Sequence, residues 1–489
     1  MPDPDPAKPA SYHPTKKYWY MSRFVLLLLC WSCALVWGHA QAPSGKKQLT
    51  IDDLVHWKTV EDPLISDDGR FVCWRQHPEE GDDTLGLWDA TTGQRRLFAR
   101  GDRAAFSADS RWLAFRRTAP ADSVRAWKKR DLPRKKWPKD TLELVDLHTG
   151  NETSIPNVKR FALPEKYSGW LAIWYEPDNQ RDTTQAGKDK KKESRENGSR
   201  LELRALSGGQ SLALDYVTDW TLAEEAPVLL YHTSGDDSLV QRGVWLLDLR
   251  QPEPRPRPLW RTTIEEADFK ALTLDRQGRA AAFLLQLDTT GADVKPWALA
   301  LYRTGQDSAH VIADTAAAFL PEGWQLSPDE RLRFSDAGDR LLFGIKPIPP
   351  QQDTSLLEDE IVNVEVWTWK DPMIYPQQNV RKEQELKRSY EVLYRLGDDR
   401  FVPLADTSLP EVELAPDLSG RWAIGWNDWP YFYRVSWEGF PPAKDIYRVD
   451  LETGARHLVA REVRANVNIS PGGQYALWYN VADTAWYAC

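Results

Sequence analysis

The chain has 489 residues, of which 42% are hydrophobic and 24 are tryptophan, and it carries a formal net charge of −9. This length and composition exclude an intrinsically disordered protein and provide enough apolar residues for a large globular core. The acidic balance argues against a nucleic-acid partner, because nucleic-acid binding depends on basic patches.

The N-terminal segment has the layout of a secretory signal peptide. Met21 follows a Pro-rich polar leader, and we expect it to be the true start of translation. An apolar run from Phe24 to Trp37 comes next and is followed by the small residues Ala40 and Ala42. This order is typical of export signals, and the run is too short to span a bilayer comfortably. We therefore predict a leader and cleaved signal peptide over residues 1–42, no membrane span after cleavage, and a periplasmic or extracellular location.

The cysteines do not indicate a disulfide framework. Cys30 and Cys33 lie in the predicted signal peptide, which leaves only Cys73 and Cys489 in the mature protein. Disulfide-rich folds use a larger set of regularly spaced cysteines. We therefore expect the predicted mature domain, residues 43–489, to be stabilised by its apolar core.

A recurring sequence phrase organises this domain. Each copy is a short turn rich in Ser, Asp, Pro and Gly followed by an apolar run. Ser and Asp side chains favour turns, Gly supplies positive φ, and apolar runs bounded by turns predict buried strands. Weaker copies occur near Tyr167 and Leu229. The clear copies begin at Ile65, Phe106, Leu272, Phe334, Leu414 and Ile469.

A second phrase accompanies the first. An alternating strand runs into a Thr-Gly or Gly-Gly turn and a second strand leaves it, which is the pattern of a β-hairpin. One copy of each phrase makes about four strands, and the pair recurs roughly every 40 to 80 residues. This predicts an all-β fold, a β-propeller of about seven or eight four-stranded blades. The second phrase begins at Leu87, Leu142, Leu201 and Ile446.

Three segments depart from the repeat in the first half of the chain. The lead-in from Gln48 is predicted to be helical or extended before the first blade. Asp122 to Asp140 is a basic stretch between two strands of the second blade, and it is either a solvated hairpin extension or a patch for an anionic partner. Pro177 to Ser199 is polar and charged, and it is predicted to be an exposed loop inside the third blade.

The second half contains two further departures. VEVWTWK, from Val364, alternates as a strand, and the segment from Asn379 is predicted to be helical in its first part. The aromatic run from Trp422 to Phe440 is predicted to be two strands and their connection, or alternatively a surface for stacking ligands. The first phrase begins again at Ile469 without its partner. Either Val463 to Cys489 completes the first blade, or the chain is a fragment of something longer.

Four stretches of this sequence resemble the N-terminal β-propeller of the prolyl oligopeptidase family of serine peptidases, in particular its large secreted bacterial members. The stretches are TIDDLVHWKTVEDPLISDDGRFVCW, VEVWTWKDPMIYPQQNVRKEQELKRSY, VSWEGFPPAKDIYRVDLETGARHLV and ISPGGQYALWYNVADTAWYA. The resemblance implies an α/β-hydrolase domain after the propeller, holding a catalytic Ser, Asp and His. It also implies that the propeller lies over that site and filters substrates by size.

The catalytic motif of that family does not occur in this chain. Acyl transfer of this kind uses a G-x-S-x-G nucleophile elbow, and the nearest sequence, GGQSLA from Gly208, has Ala213 in place of the last Gly. We therefore expect a non-catalytic, substrate-gating propeller that is inactive alone. Its expected partners are a peptide substrate or a downstream hydrolase domain. The alternative is a stand-alone exported propeller that acts as a scaffold for a protein or ligand.

Other chemistry has little support in the sequence. There is no H-E-x-x-H, no cysteine pair at zinc spacing and no phosphate-binding Gly loop. Paired carboxylates bind ammonium groups well, but the pairs Glu224-Glu225 and Glu265-Glu266 are interpreted as solvated acids. The sequence therefore predicts no catalytic residue, no cofactor and no metal site. The histidines considered and set aside as ligands are His56, His77, His148 and His457.

Overall fold

The computed structural model describes residues 50–55, 57–177, 198–235, 240–290, 292, 294–349, 360 and 364–489. The predicted leader and signal peptide, Cys30, Cys33, His56 and most of the loop after Pro177 lie outside these residues, as does the predicted domain boundary. Two compact units are present: Met1–Lys58 with Pro78–Glu80, and Thr59–His77 with Gly81–Cys489. The first unit contains helix α1 (Ile51–Val55), and the second contains nearly all of the β structure.

The β structure begins with two four-stranded antiparallel sheets, each in simple consecutive order. The first sheet consists of β1 (Lys58–Ile65), β2 (Phe71–Pro78), β3 (Thr84–Asp89) and β4 (Arg95–Ala99). The second consists of β5 (Gly101–Phe106), β6 (Trp112–Arg117), β7 (Thr141–Asp146) and β8 (Glu152–Ile155).

A seven-stranded sheet follows. It consists of two blades that are joined by one long strand, β12. Residues 211–217 of β12 pair with β11, whereas residues 217–222 pair with β13. The register shifts after Val217, and Tyr216 has a positive φ of 58°. The third and fourth sheets therefore share β12. The seven strands are β9 (Val158–Ala162), β10 (Trp170–Tyr175), β11 (Ser199–Ala205), β12 (Ser211–Leu222), β13 (Val228–Thr233), β14 (Arg242–Asp248) and β15 (Arg257–Thr262).

Four further sheets complete the described structure, and the last has three strands. The fifth consists of β16 (Asp268–Leu274), β17 (Ala280–Gln286), β18 (Ala298–Arg303) and β19 (His310–Ala313). The sixth consists of β20 (Trp324–Leu326), β21 (Arg333–Phe334), β22 (Arg340–Pro347), β23 (Tyr390–Arg395) and β24 (Arg400–Pro403). The seventh consists of β25 (Glu411–Glu413), β26 (Trp422–Asn427), β27 (Ala443–Asp450) and β28 (Arg456–Arg464). The eighth consists of β29 (Val467–Ile469), β30 (Ala476–Asn480) and β31 (Ala485–Ala488).

The predicted all-β propeller fold is confirmed by these repeated antiparallel sheets. Consecutive sheets pack face to face, and the two-residue period of the strands decides which side chain meets which neighbour. On β10, Leu171 and Ile173 are buried against the second sheet, whereas Ala172 and Trp174 are buried against the fourth. Because both faces are covered, the strand sequence is a continuous apolar run rather than an alternating one.

The Ser-containing turn of the first phrase holds the start of the following strand in the first, second, sixth and eighth sheets. Ser107 is buried, and its Oγ accepts the backbone N–H of Trp112 at 2.9 Å while donating to Asp109 Oδ1 at 2.5 Å. Ser66 and Ser470 make the same kind of backbone contact in the first and eighth sheets. The polar turn and the apolar strand after it are therefore one hydrogen-bonded unit.

An ion pair joins the two phrases within a sheet. Arg111 Nη2 lies 3.0 Å from Asp146 Oδ2, and Asp146 Oδ1 also accepts the backbone N–H of His148 at 2.9 Å. The aspartate thus orders its own Thr-Gly turn and pairs with an arginine at the start of the neighbouring strand. Equivalent pairs are Arg70–Asp89 and Arg421–Asp450. This geometry explains why the two phrases recur together.

Two predicted strands are wrong. VEVWTWK forms no strand, because β22 already pairs with β23 and leaves it no partner, and Val366 and Trp369 are exposed. The helix predicted after it is present as α3 (Tyr375–Leu386). In the aromatic run, the expected second strand is helical: a 3-10 helix (Trp429–Arg434) leads into α4 (Val435–Glu438).

The helical connection after β26 is explained by tertiary packing. Phe432 and Val435 are buried against Met373, which precedes α3. A buried apolar contact of this kind overrides the strand preference of the aromatic residues.

The C-terminal strands form the eighth sheet and do not complete the first, whose order is β1-β2-β3-β4. The basic stretch lies between β6 and β7, as predicted, but it contains helix α2 (Ala121–Lys129) and a 3-10 turn (Arg134–Lys136). Within the described residues, no helix has both the length and the apolar character needed to cross a membrane.

Replacing Ser107 with alanine tests the role of the buried Ser turn. The substitution leaves the part-buried N–H of Trp112 without its side-chain acceptor, and we expect the free energy of unfolding to fall by about 0.5–1.5 kcal/mol. Urea unfolding of the purified protein measures this change. The matched control is Ser419→Ala, since Ser419 also bonds to a turn aspartate but is exposed. Equal losses in the two variants would contradict a special role for the buried turn.

Candidate functional site

A cavity of about 390 Å3 lies at one edge of the third, fourth and fifth sheets. Its walls are formed by the ends of strands. In the fourth sheet, the end of β13 and the start of β14 line the cavity. In the fifth sheet, the end of β17, the start of β16 and the residue before β18 line it. Antiparallel pairing brings these ends to a common edge. Because the strand backbones are held by the sheets, the side chains that line the cavity have defined positions.

One wall of the cavity carries a buried neutral histidine. His232 Nδ1 lies 2.5 Å from Thr218 Oγ1, and the His232 ring lies 5.9 Å from the Phe269 ring. Burial lowers the pKa of His232, with Arg242 acting in the same direction and Asp219 and Asp268 in the opposite one. His232 is therefore an uncharged hydrogen-bonding group at neutral pH.

Side chains of both charge signs line the cavity. Lys159 Nζ lies 4.0 Å from the centroid of the Trp174 ring, and Arg242 Nη1 donates to the carbonyl of Ala267 at 3.2 Å. Lys295 adds a third cation. Glu266 and Asp268 are exposed and supply negative charge. This arrangement suits a ligand that carries both positive and negative groups or an array of peptide dipoles.

Uncharged polar groups and an indole complete the lining. Gln286 is fully buried, and its amide donates to the carbonyl of Asp288 at 2.8 Å. Thr233 Oγ1 accepts from Trp245 Nε1 at 3.0 Å and donates to the carbonyl of Gln241. Trp297 is buried, with Lys270 Nζ 5.0 Å from its ring centroid. A mixed apolar and polar lining of this kind is typical of small-ligand sites.

The two acidic pairs singled out in the sequence have different environments. Glu224 accepts a two-point contact from Arg276, which also lies 2.9 Å from Asp336 in the sixth sheet. The Glu224-Glu225 pair therefore takes part in contacts between turns of neighbouring sheets. Glu266 of the other pair lines the cavity, whereas Glu265 is exposed and does not.

The histidine in the cavity was missed in the sequence. His232 lies at the end of the buried run VLLYH, and its partner Thr218 is fourteen residues away across an irregular hairpin. Only the register of β12 and β13 brings the two together. Of the histidines considered from the sequence, His77, His148 and His457 do not line the cavity. His77 instead lies 2.7 Å from Asp83.

A second titratable group lies outside the cavity. Burial raises the pKa of Glu391 to about 8, and Glu330 and Glu411 act in the same direction. Its Oε2 atom is buried without a hydrogen-bond partner. Among the residues that the structure describes, no group of three or more His, Cys, Asp or Glu side chains is placed to hold a metal ion.

No protein-family model matches this sequence, and no curated protein matches it. Among solved structures, the chain is similar to a eukaryotic initiation factor, with 9% identity, a TM-score of 0.44 and coverage of 90% of this chain and 84% of that one. It is similar to the β-propeller domain of the Trilobed protease from Pyrococcus furiosus, with 10% identity, a TM-score of 0.33 and coverage of 83% and 96%.

A third similarity is to prolyl endopeptidases, with 12% identity, a TM-score of 0.37 and coverage of 87% of this chain. The chain spans 54% of the length of that peptidase.

Protonation of His232 should destabilise the fold in acid. The folded pKa lies below the unfolded value of about 6.5, so the unfolded state binds the proton more readily. Stability should be constant above that pH and fall below it, by up to about 1.4 kcal/mol per pH unit. Urea unfolding between about pH 5 and pH 8 measures this slope. His232→Gln should flatten it, whereas the exposed control His148→Gln should keep it; parallel curves for His232→Gln and the unmodified chain would contradict the assignment.

Proposed function

We propose that this β-propeller is the non-catalytic, substrate-gating portion of a secreted, prolyl-oligopeptidase-like serine peptidase. It docks peptide substrates for a hydrolase domain that supplies the catalytic Ser, Asp and His. The observation that carries the proposal is the cavity at the edge of the third to fifth sheets, which combines both charge signs with buried hydroxyl and amide groups. A periplasmic or extracellular location belongs to the same proposal.

The size of the cavity suits a short stretch of extended peptide. Small-ligand pockets have volumes of about 300–1,000 Å3, and the cavity is near the lower end at about 390 Å3. A folded protein does not fit into such a space, whereas a few residues of an unfolded segment do. A docking cavity of this volume therefore selects substrates by size.

The polar groups match the chemistry of a peptide backbone. A peptide presents N–H donors and carbonyl acceptors in alternation. Thr218 and Gln286 carry both donor and acceptor atoms, and neutral His232 retains Nε2 for a ligand because its Nδ1 already bonds to Thr218 Oγ1. The charged side chains, Lys159 and Glu266 among them, then pair with charged groups of the ligand.

A different observation bears on the alternative, a stand-alone exported scaffold. Two connections carry exposed aromatic residues: Trp369 before α3 is 89% exposed, and Trp437 and Phe440 before β27 are 68% and 69% exposed. A contiguous patch of exposed apolar side chains marks a protein interaction site. They suit a partner protein or a hydrolase domain equally. Sequencing the coding region beyond the Cys489 codon separates the two, because only the peptidase function requires an in-frame G-x-S-x-G.

Peptide binding to the cavity can be measured with the purified chain. Trp174 and Trp297 line the cavity, so a bound peptide should change the intrinsic tryptophan fluorescence. We expect Lys159→Gln to weaken the binding of a short unstructured peptide about threefold to tenfold, because it removes one charge contact. The control Lys382→Gln removes an exposed charge on α3 and should bind as the unmodified chain does. Binding that is unchanged in Lys159→Gln would exclude this cavity as the peptide site.

The expected lack of catalysis is tested with a serine-directed fluorophosphonate. The chain contains no G-x-S-x-G elbow, so it should not be labelled, because a serine without that activation is a weak nucleophile. A purified prolyl oligopeptidase serves as the positive control. Stoichiometric labelling of this chain would overturn the non-catalytic function.

A further inference from the structure

The connection between β6 and β7, residues 118–140, forms a basic arm. It contains eight Lys and Arg residues against three Asp residues, a surplus of five positive charges in a chain whose net charge is −9. Helix α2 and the 3-10 turn after it have no fully buried residue. The basic arm is therefore a locally positive projection from an acidic protein.

The apolar side chains of the basic arm hold its own shape. The rings of Trp127 and Trp137 are 5.5 Å apart, and Trp137 Nε1 donates to the carbonyl of Leu132 at 2.8 Å. Trp127 and Trp137 are each half-buried by this contact within the arm. The cationic side chains are directed to solvent instead. Those that are exposed include Arg125, Lys128, Lys129, Arg130, Arg134 and Lys136.

The base of the basic arm is joined to the rim of the cavity. Lys139 Nζ lies 3.5 Å from Glu176, and the carbonyl of Asp140 accepts the backbone N–H of Val158 at 3.0 Å. Val158 and Glu176 directly precede Lys159 and Pro177, which both line the cavity. The base of the arm therefore lies next to Lys159 and Pro177 of the cavity lining.

The acidic residues of the basic arm do not cancel its charge. Asp140 lies 3.2 Å from Arg116, which belongs to β6 and not to the arm, so that aspartate is neutralised from outside. Screening in physiological salt limits such a field to about 8 Å. A charged arm can therefore direct a ligand into the cavity only if the two are adjacent, and here the end of the arm contacts Val158 and Glu176, which precede Lys159 and Pro177 of the cavity lining.

We propose that the basic arm recruits acidic segments of polypeptide and delivers them to the cavity, which makes peptides rich in Asp and Glu the preferred substrate class. This inference rests on the proposed peptide-docking function. The arm acts by electrostatic attraction, which raises the local concentration of an anionic chain at the cavity, and the cavity then binds the peptide backbone.

The test uses the full chain and two labelled peptides of ten residues. One peptide is rich in Glu, and the other has Gln at every Glu position. The arm variant carries Arg125→Gln, Lys128→Gln and Lys129→Gln, which are conservative because glutamine favours helices as lysine does. The control variant carries Lys382→Gln, Lys387→Gln and Arg400→Gln, which remove the same charge from exposed positions at α3 and β24. Circular dichroism and thermal unfolding check that both variants are folded.

Fluorescence anisotropy should show that the unmodified chain binds the acidic peptide about tenfold more tightly than the neutral one at low salt. The preference should shrink as the salt concentration rises. The arm variant should lose the preference while keeping its affinity for the neutral peptide, and the control variant should keep both. A second variant, Arg134→Gln with Lys136→Gln, should lower the preference in part.

The outcomes separate the two proposals. Equal affinities for the two peptides, or equal losses in the arm and control variants, would overturn the role of the basic arm while the neutral peptide still reports docking in the cavity. Failure of both peptides to bind would overturn the docking function itself and the arm's role with it. Binding to phosphatidylglycerol vesicles that depends on the arm, without a preference for the acidic peptide, would show a membrane contact and overturn the present inference.

Discussion

A middle strand such as β13 has two apolar faces, and a different neighbouring sheet covers each of them. On β13, Leu229 and Tyr231 are buried against the third sheet and Leu230 is buried against the fifth. Burial of one large apolar side chain contributes about 1.5–3 kcal/mol, whereas an ion pair near the surface contributes about 0–1 kcal/mol. Face-to-face packing therefore holds the sheets together, and the Arg–Asp pairs chiefly define which strand ends lie side by side.

Because the centres of the strands provide the packing between sheets, the strand ends can carry functional side chains. The buried centres of the sheets tolerate little change because they are closely packed, while the connections lie at the surface and can vary. The cavity is built from strand ends at one edge. Lys159, His232 and Glu266 come from three different sheets and meet there because the sheet cores hold their backbones. A precise site can thus be formed from residues that are far apart in the chain.

The elaborated connections share a topological position. The basic arm joins β6 to β7 in the second sheet, α3 lies between β22 and β23 in the sixth sheet, and α4 lies between β26 and β27 in the seventh. Each of these pairs holds the second and third places in the order of its sheet. The cavity is lined from the corresponding edge of the third to fifth sheets. In the described residues, these helical connections therefore lie at one kind of strand end, whereas the repeated Ser turns lie at the opposite ends.

The sequence by itself determined the repeating unit, because turn chemistry and apolar runs are local. Ser107 and Asp146 are examples: each bonds to backbone within five residues, so the turns were predictable. Tertiary structure decided what depends on distant partners. VEVWTWK failed as a strand because no neighbour remained to pair with it, and the run after Trp426 became helical because Phe432 and Val435 pack on Met373. His232 joined the cavity through the register of two strands, which no local pattern encodes.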